Sequence, residues 1–244
     1  MIGALLSNPS IGLLRHSRID LGLIVQGVSY KENDPWVELP SGVPRLFISL
    51  PSGVSNEVMS NIPRVWFGQC PSPSELTFDR SHVRLIPVTA ASAGLGRSLV
   101  ELILKGGDIA VATLRTPSAL NDLKQEYDEN QLLLLPLDVT NIGQIRSAFQ
   151  AATDKYGRID FVYNLAGHGL IGEVEGTPEE VARAMFEVNF WGATRISNEA
   201  VRVFREVNKP QGGHLFVITS LVGLKPMAGT GFYAATKHGQ ASLC

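Results

Sequence analysis

From His82 onward the chain alternates short, unbroken apolar runs with segments of helical period, and this alternation constrains the fold more than any other feature. Val83–Val88, Asp108–Leu114, Gln131–Leu137, Ile159–Leu165 and His214–Thr219 read as strands. Gly94–Lys105, Ser118–Tyr127, Ile142–Tyr156 and Pro178–Val207 read as helices between them, and a further helix begins at Thr230. Gly106 and Gly107 close the first helix, and Ile142, Ile145, Phe149 and Ala152 share one face of the third. Thr177 is placed to cap the long helix, with Pro178 in its first position and Glu180 completing a capping box. Strands that are short, continuously apolar and joined by helices belong in a parallel sheet covered on both faces. Right-handed crossovers then make it doubly wound.

Composition narrows what such a chain does. Of its 244 residues 44% are apolar and the formal net charge is −2, which provides no basic surface for nucleic acid or an anionic membrane. No apolar run approaches the roughly 20 residues that span a bilayer. Two cysteines, Cys70 and Cys244, make no disulfide framework, so a reducing, cytoplasmic setting is expected. The start of the chain is acid-free to Arg18, a trace of transit-peptide character without a signal-peptide pattern. Residues 1–80 hold eight of the fourteen prolines and sustain no helical period beyond two turns. Short β-like runs occur at Gly22–Val28, Arg45–Leu50 and Arg64–Gly68. This stretch is expected to be an irregular extension of unassigned role, loosely ordered or folded as hairpins on the α/β domain of residues 81–244. An independent binding module is the alternative.

Two stretches carry chemistry. Thr89-Ala-Ala-Ser-Ala-Gly-Leu-Gly96 falls where the first strand becomes the first helix. Small residues there let the backbone approach a pyrophosphate, and the free N–H groups and dipole of the helix N-terminus attract its charge. An ordinary tight turn would look the same in isolation. The second stretch has Ser220, then Tyr233, then Lys237 four residues later. On a helix Tyr233 and Lys237 lie one turn apart on the same face. An ammonium beside a phenol favours phenolate, lowering the tyrosine from its usual value of about 10, and Ser220 adds a hydroxyl for a substrate oxygen. Alone, the Tyr–Lys pair also reads as a solvated helix pair.

Taken together, the sequence resembles the short-chain dehydrogenase/reductase family in its short-form branch. Thr89, Gly94 and Gly96 match the branch's Thr-Gly-x-x-x-Gly-x-Gly, Leu137-Asp138-Val139 follows the third strand, and Asn164-Leu-Ala-Gly167 follows the fourth. Asn189-Phe-Trp-Gly192 matches the Asn-x-x-Gly of the long helix, and Ser220, Tyr233 and Lys237 complete the set. The resemblance covers about residues 82–244. It implies a Rossmann-like fold with strand order 3-2-1-4-5, final strands missing, and an oxidoreductase that moves hydride between a nicotinamide cofactor and a small-molecule ketone or secondary alcohol. Tyr233 would exchange the proton, Ser220 would hold the substrate oxygen, Lys237 would bind the ribose and lower the tyrosine pKa, and Asn189 would position a relay water. The cofactor is expected against Thr89, Ala91, Ser92, Gly94, Leu95, Gly96 and Arg97, then Arg115, Asp138, Val139, Asn164, Ala166 and Gly167, and finally Tyr233 and Lys237. No acid ends the second strand at Ala112-Thr-Leu-Arg115, where an NAD site would bind the ribose 2′-OH. Arg115, with Arg97 as a second contact, would suit a 2′-phosphate, so NADP is expected over NAD.

Other residues are weighed against plainer roles. His168 could touch substrate, whereas His82, His214 and His238 read as structural or exposed. Trp191 reads as helix-packing core, and Leu224, Pro226, Met227 and Phe232 as an apolar pocket wall. No His or Cys stands at metal-ligand spacing. Three departures from the family pattern stand out. Ala90 replaces a glycine and costs about 1–2 kcal/mol if its φ is positive. About 80 residues precede the match. The chain also stops at Cys244, seven residues past Lys237, which leaves His214–Thr219 as an open apolar edge and weakens the family's homodimer or homotetramer. A truncated, non-catalytic remnant that binds only a nucleotide or partner is the competing reading, and a nucleotide-sugar epimerase with differently spaced glycines a weaker one.

Overall fold

The computed structural model describes residues 83–243, together with the backbone of two earlier strands at 25–30 and 45–49. The strands are β1 Val25–Tyr30, β2 Arg45–Ser49, β3 Leu85–Val88, β4 Ile109–Leu114, β5 Leu132–Pro136, β6 Phe161–Asn164 and β7 Gly213–Ile218. The helices are α1 Gly94–Lys105, α2 Asn121–Glu126 (entered through a 3₁₀ turn at Pro117–Leu120), α3 Ile142–Tyr156, α4 at 179–207 and α5 Gly231–Ala241. The sheet order is β2-β1-β7-β6-β3-β4-β5. Its five-stranded part is parallel throughout and has the expected 3-2-1-4-5 order.

Alternate residues of each strand enter opposite cores, which is why the strands are apolar at every position. Leu85, Val111, Val162, Leu215 and Val217 meet Ile145 and Phe149 of α3 and Ile196, Val203 and Phe204 of α4 on one face. Ile86, Val88, Ala110, Ala112 and Phe161 meet Val100, Ile103 and Leu104 of α1 and Leu123 of α2 on the other. Each large aliphatic buried this way contributes about 1.5–3 kcal/mol of transfer free energy.

β3 carries a proline at the centre of the sheet, where a ladder donor is normally required. The nitrogens of Leu85, Pro87 and Thr89 share the side facing β6. Leu85 N–H donates to the Asp160 carboxylate at 2.9 Å, Thr89 N–H donates to the Tyr163 carbonyl at 3.0 Å, and Pro87 has no N–H. Pairing between β3 and β6 accordingly thins to Val88 against Tyr163.

Four expectations are corrected. The first is the open edge at His214–Thr219. β1 pairs antiparallel with β7, from Val25 against Ile218 to Tyr30 against Gly213, and β2 pairs antiparallel with β1. Two of the three β-like runs before residue 80 thus extend the sheet as a hairpin; Arg64–Gly68, His82, Cys70 and Cys244 lie outside the described residues. Secondly, Thr177 caps nothing. Its hydroxyl donates to the Glu173 carbonyl at 2.8 Å, and Pro178, at φ −58° and ψ 139°, is itself the flanking residue. The Pro178 carbonyl accepts from Val181 and Ala182 N–H, so the helix starts one residue later and Glu180 closes no box. Thirdly, Ile142 opens α3 but remains 51% exposed, and the buried stripe begins at Ile145. Lastly, Trp191 is 50% exposed rather than core. Asn189 and Gly192 take the inward positions of that turn, and Trp191 faces out with an edge-to-face contact to Phe190 at 4.8 Å.

Candidate active site

The glycine turn is pinned on both sides of its one unusual residue. Thr89 N–H bonds to Tyr163 and Ala91 N–H to the Thr113 carbonyl, at 3.0 and 3.2 Å. Ala90 between them is forced to φ +55°, the left-handed region that disfavours a side chain. Its carbonyl lies where a Cβ on Gly96 would come within 2.2 Å, so only glycine fits at 96. Gly94, also at φ +55°, faces open space with no atom within 4 Å of a built Cβ. Ala93, extended at φ −159°, precedes α1 without a side-chain cap. The first N–H groups of α1 are left for an external acceptor, as an anion site requires.

Thr89 and Asn164 do not reach the cleft. Thr89 Oγ1 accepts from Leu165 and Ala166 N–H at 2.8 and 3.0 Å, and Asn164 Nδ2 donates to the Ala193 carbonyl at 3.0 Å. Both are buried. They tie the turn after β3 to the turn after β6, and the turn after β6 to α4. Asp138 is ordered by Thr140, whose N–H and hydroxyl donate to its carboxylate at 2.9 and 2.7 Å. Those bonds, with Arg115 nearby, hold its carboxyl below the usual range. Val139 is buried against Gly192, where a Cβ would come within 2.7 Å of its methyl group. Close packing therefore explains the glycine of Asn189-Phe-Trp-Gly192.

A solvent-open cleft of about 290 Å³ joins this turn to α5, with Ala90, Gly96, Gly167, His168, Tyr233 and Lys237 among its lining residues. Asn189 occupies a π-helical turn of α4, Glu187–Gly192, a distortion frequent at functional sites. Its Nδ2 donates to the His168 carbonyl at 2.7 Å and to Thr236 Oγ1 at 3.1 Å, and its Oδ1 accepts from His168 N–H at 2.9 Å. The loop bearing His168 is thus clamped to α4 and α5. Burial, then the Arg115 and Lys237 charges, push the His168 imidazole below its usual value. Gly169 lies over the Tyr233 ring, which a Cβ there would meet at 3.6 Å.

Ser220 follows β7 and opens the 3₁₀ turn Leu221–Gly223. Gly223 lets that turn press on α5, since a Cβ would come within 2.7 Å of Thr219 Oγ1 and 3.1 Å of the Lys237 backbone. Ser220 Oγ is buried with no hydrogen-bond partner among the described residues. Buried polar atoms are rarely left so, and a ligand oxygen would satisfy it. Lys237 is 4% exposed. Its ammonium donates to the Ile218 carbonyl at 3.0 Å and to Gln240 Oε1 at 2.9 Å, and burial lowers its pKa from 10.5 to about 8. Thr236 and Gln240 were not singled out from the sequence; their i+3 spacing from Tyr233 and Lys237 is the signal that would have found them.

Arg97 is paired away from any ligand. It bonds Glu101 at 2.9 Å and forms an ion pair with Asp122, which argues against the second phosphate contact expected of it. Arg115 is exposed and in no ion pair among the described residues.

The chain belongs to the short-chain dehydrogenase family, whose model matches residues 84–244. Oxidoreductase calM of Penicillium decumbens is 38% identical over 154 residues, covering 62% of this chain and 50% of that protein. Human 15-hydroxyprostaglandin dehydrogenase, whose name specifies NAD(+), is 28% identical over 156 residues, covering 62% of this chain and 56% of its own. A short-chain dehydrogenase from Streptomyces avermitilis, solved by crystallography, superposes with a TM-score of 0.62 at 31% identity, covering 66% of this chain and 58% of that one. The chain spans about half the length of the curated relatives it matches. The family is one of NAD(P)-binding oxidoreductases. No helix among the described residues is long and apolar enough to cross a membrane.

Proposed function

We propose that this chain is the cofactor-binding and proton-transferring part of an NADP(H)-dependent oxidoreductase acting on a ketone or secondary alcohol. The observation that carries the reading is that Tyr233 and Lys237 line the same cleft as the glycine turn, so a dinucleotide lying across the turn would end beside them. The residues fit such a group: α1 starts without a side-chain cap, Gly94 leaves open space, and Ser220 Oγ lacks a partner among the described residues. Bound NADP(H) supplies or accepts the hydride.

The chain's own residues handle the oxygen and its proton. In reduction Tyr233 gives a proton to the carbonyl oxygen as the carbon becomes a carbinol, and in oxidation it takes that proton back. Ser220 Oγ–H donates to the same oxygen and stabilises the charge that develops there. Two of the three N–H groups of Lys237 are held by Ile218 and Gln240, which leaves the third for the ribose hydroxyls. Asn189 Oδ1 keeps a lone pair beyond its bond to His168, where it would hold a water shared with Lys237. Arg115 suits a 2′-phosphate because it is exposed and carries no ion pair among the described residues. The NAD(+) dehydrogenase among the relatives makes this the sharper point to test.

The test is fluorescence titration of the purified 244-residue chain with NADPH and NADH, followed by NADPH consumption across a panel of ketones and aldehydes. NADPH binds more tightly, Arg115→Ala weakens NADPH about tenfold (1.4 kcal/mol) without affecting NADH, and Tyr233→Phe abolishes consumption while preserving binding. Tighter NADH binding overturns the cofactor preference. Absence of both binding and consumption overturns the enzyme reading in favour of a non-catalytic remnant.

A further inference from the structure

Gln240, buried behind Lys237, has no role in the mechanism above. It sits on α5, three residues beyond Lys237, and is 1% exposed. A glutamine loses rotamer freedom when fixed and demands hydrogen-bond partners when buried, so an aliphatic residue would be the simpler occupant of a packed helix face. Its amide oxygen accepts from Lys237 Nζ at 2.9 Å.

We propose that Gln240 is a positioning residue for Lys237, its amide oxygen fixing the ammonium at the floor of the cleft and keeping it protonated there. The inference rests on the reading of Lys237 as the residue that binds the ribose and serves Tyr233. The surroundings leave the task to few groups. β7 offers only the Ile218 main-chain carbonyl. From the loop after β6 comes His168, whose pKa is lowered by burial, then by Arg115 and the lysine itself. α4 contributes the uncharged Asn189, and α5 contributes Tyr233, Thr236 and, one residue on, His238, whose ring is turned to the Ala234 carbonyl at 2.9 Å. Burial pulls the Lys237 pKa down, and no carboxylate offsets it. A charge so placed depends on its acceptors, and Gln240 is the one side chain found bonded to it among the described residues. Without that oxygen the ammonium is held by the Ile218 carbonyl alone and loses part of its reason to stay charged.

The test reads Lys237 directly in the full chain, by following its side-chain ¹³Cε resonance through a pH titration, with the signal assigned by its absence in Lys237→Met. Gln240→Met keeps the length and removes the acceptor; Gln240→Glu keeps the acceptor and adds a charge. The midpoint falls by about one pH unit in Q240M, a tenfold change in proton affinity, and rises by a similar amount in Q240E. Circular dichroism establishes that each variant is folded, and the second variant serves if one is not. Midpoints that stay within about 0.3 units of the parent, or that move in the same direction in both variants, overturn the proposal. Shifted midpoints in a chain that consumes no NADPH would retain the positioning role while removing the proposed activity, so the two readings fail separately. With activity present, the pH dependence of turnover moves with the midpoint in both variants; a purely structural role would lower turnover without moving it.

Discussion

Replacing Ala90 with glycine is expected to stabilise this protein, against the usual outcome for a change to glycine. The residue holds φ +55°, where an L side chain costs about 1–2 kcal/mol. Hydrogen bonds from Thr89 to Tyr163 and from Ala91 to Thr113 fix the backbone on either side, so the strain cannot relax by rotation. Glycine removes the side-chain penalty but adds freedom to the unfolded chain worth about 0.4–1 kcal/mol. The difference centres near 0.8 kcal/mol in favour of Ala90→Gly. For a chain of this size, about 2–4 °C per kcal/mol converts that into a rise in Tm of about 2–3 °C. Ala90 also lines the cleft, so removing its methyl group opens space beside the expected pyrophosphate and NADPH affinity should rise alongside stability. Differential scanning calorimetry without ligand measures the first effect and fluorescence titration the second. A lower Tm for Ala90→Gly would show that the turn does not hold Ala90 in the left-handed region, and the reasoning would fail. Ala90→Val sharpens the contrast, because a β-branched residue at positive φ should lose stability relative to alanine.

Two further outcomes follow from buried polar groups. Thr89→Val preserves shape but strands the N–H groups of Leu165 and Ala166, both now satisfied by Thr89 Oγ1; at about 1–3 kcal/mol for each stranded donor, urea unfolding should show a loss of about 2–6 kcal/mol, and an unchanged midpoint would refute the assignment. Lys237 has a folded pKa of about 8 against 10.5 unfolded, so between those values the unfolded chain binds the proton more tightly and stability rises with pH, with a ceiling of about 3 kcal/mol; below about 8 the full cost of the buried charge is present. Unfolding midpoints of cofactor-free protein and of Lys237→Met, taken across that window, should differ in slope, and parallel profiles would exclude the effect.

What the sequence made legible depended on how local the signal was. α1 and α3 appear at the residues expected because each ends on glycine and carries an apolar stripe of helical period. The parallel sheet covered on both faces followed from the alternation of strands with helices, and its 3-2-1-4-5 order from the family resemblance. The capping box at Thr177 was misread because the same residues serve an extended Pro178, and backbone geometry at a proline is not written in spacing alone. The edge beyond β7 was misread for a longer-range reason. Antiparallel pairing with Val25–Tyr30 joins segments nearly 190 residues apart, and period-2 patterning identifies a strand without naming its partner.

The site divides in the same way. Tyr233 and Lys237 could be placed on one helix face from their spacing, and the same spacing puts Gln240 beside Lys237, but the other partner of Lys237 is a main-chain carbonyl of β7 that no side-chain pattern marks. The same holds for Asn189, whose amide is engaged by the His168 main chain and Thr236. A residue marked from sequence as holding a water is therefore first a brace between three segments. The two duties are compatible, because the brace uses both amide hydrogens and one lone pair of Oδ1 and leaves the second lone pair beside Gly167. A Cβ on Gly167 would sit 3.1 Å from that oxygen and 3.4 Å from Lys237 Nζ. Glycine at 167 thus keeps open the space between Asn189 Oδ1 and Lys237 Nζ in which the two can share a ligand, and the catalytic reading of both residues depends on it as much as on their own side chains.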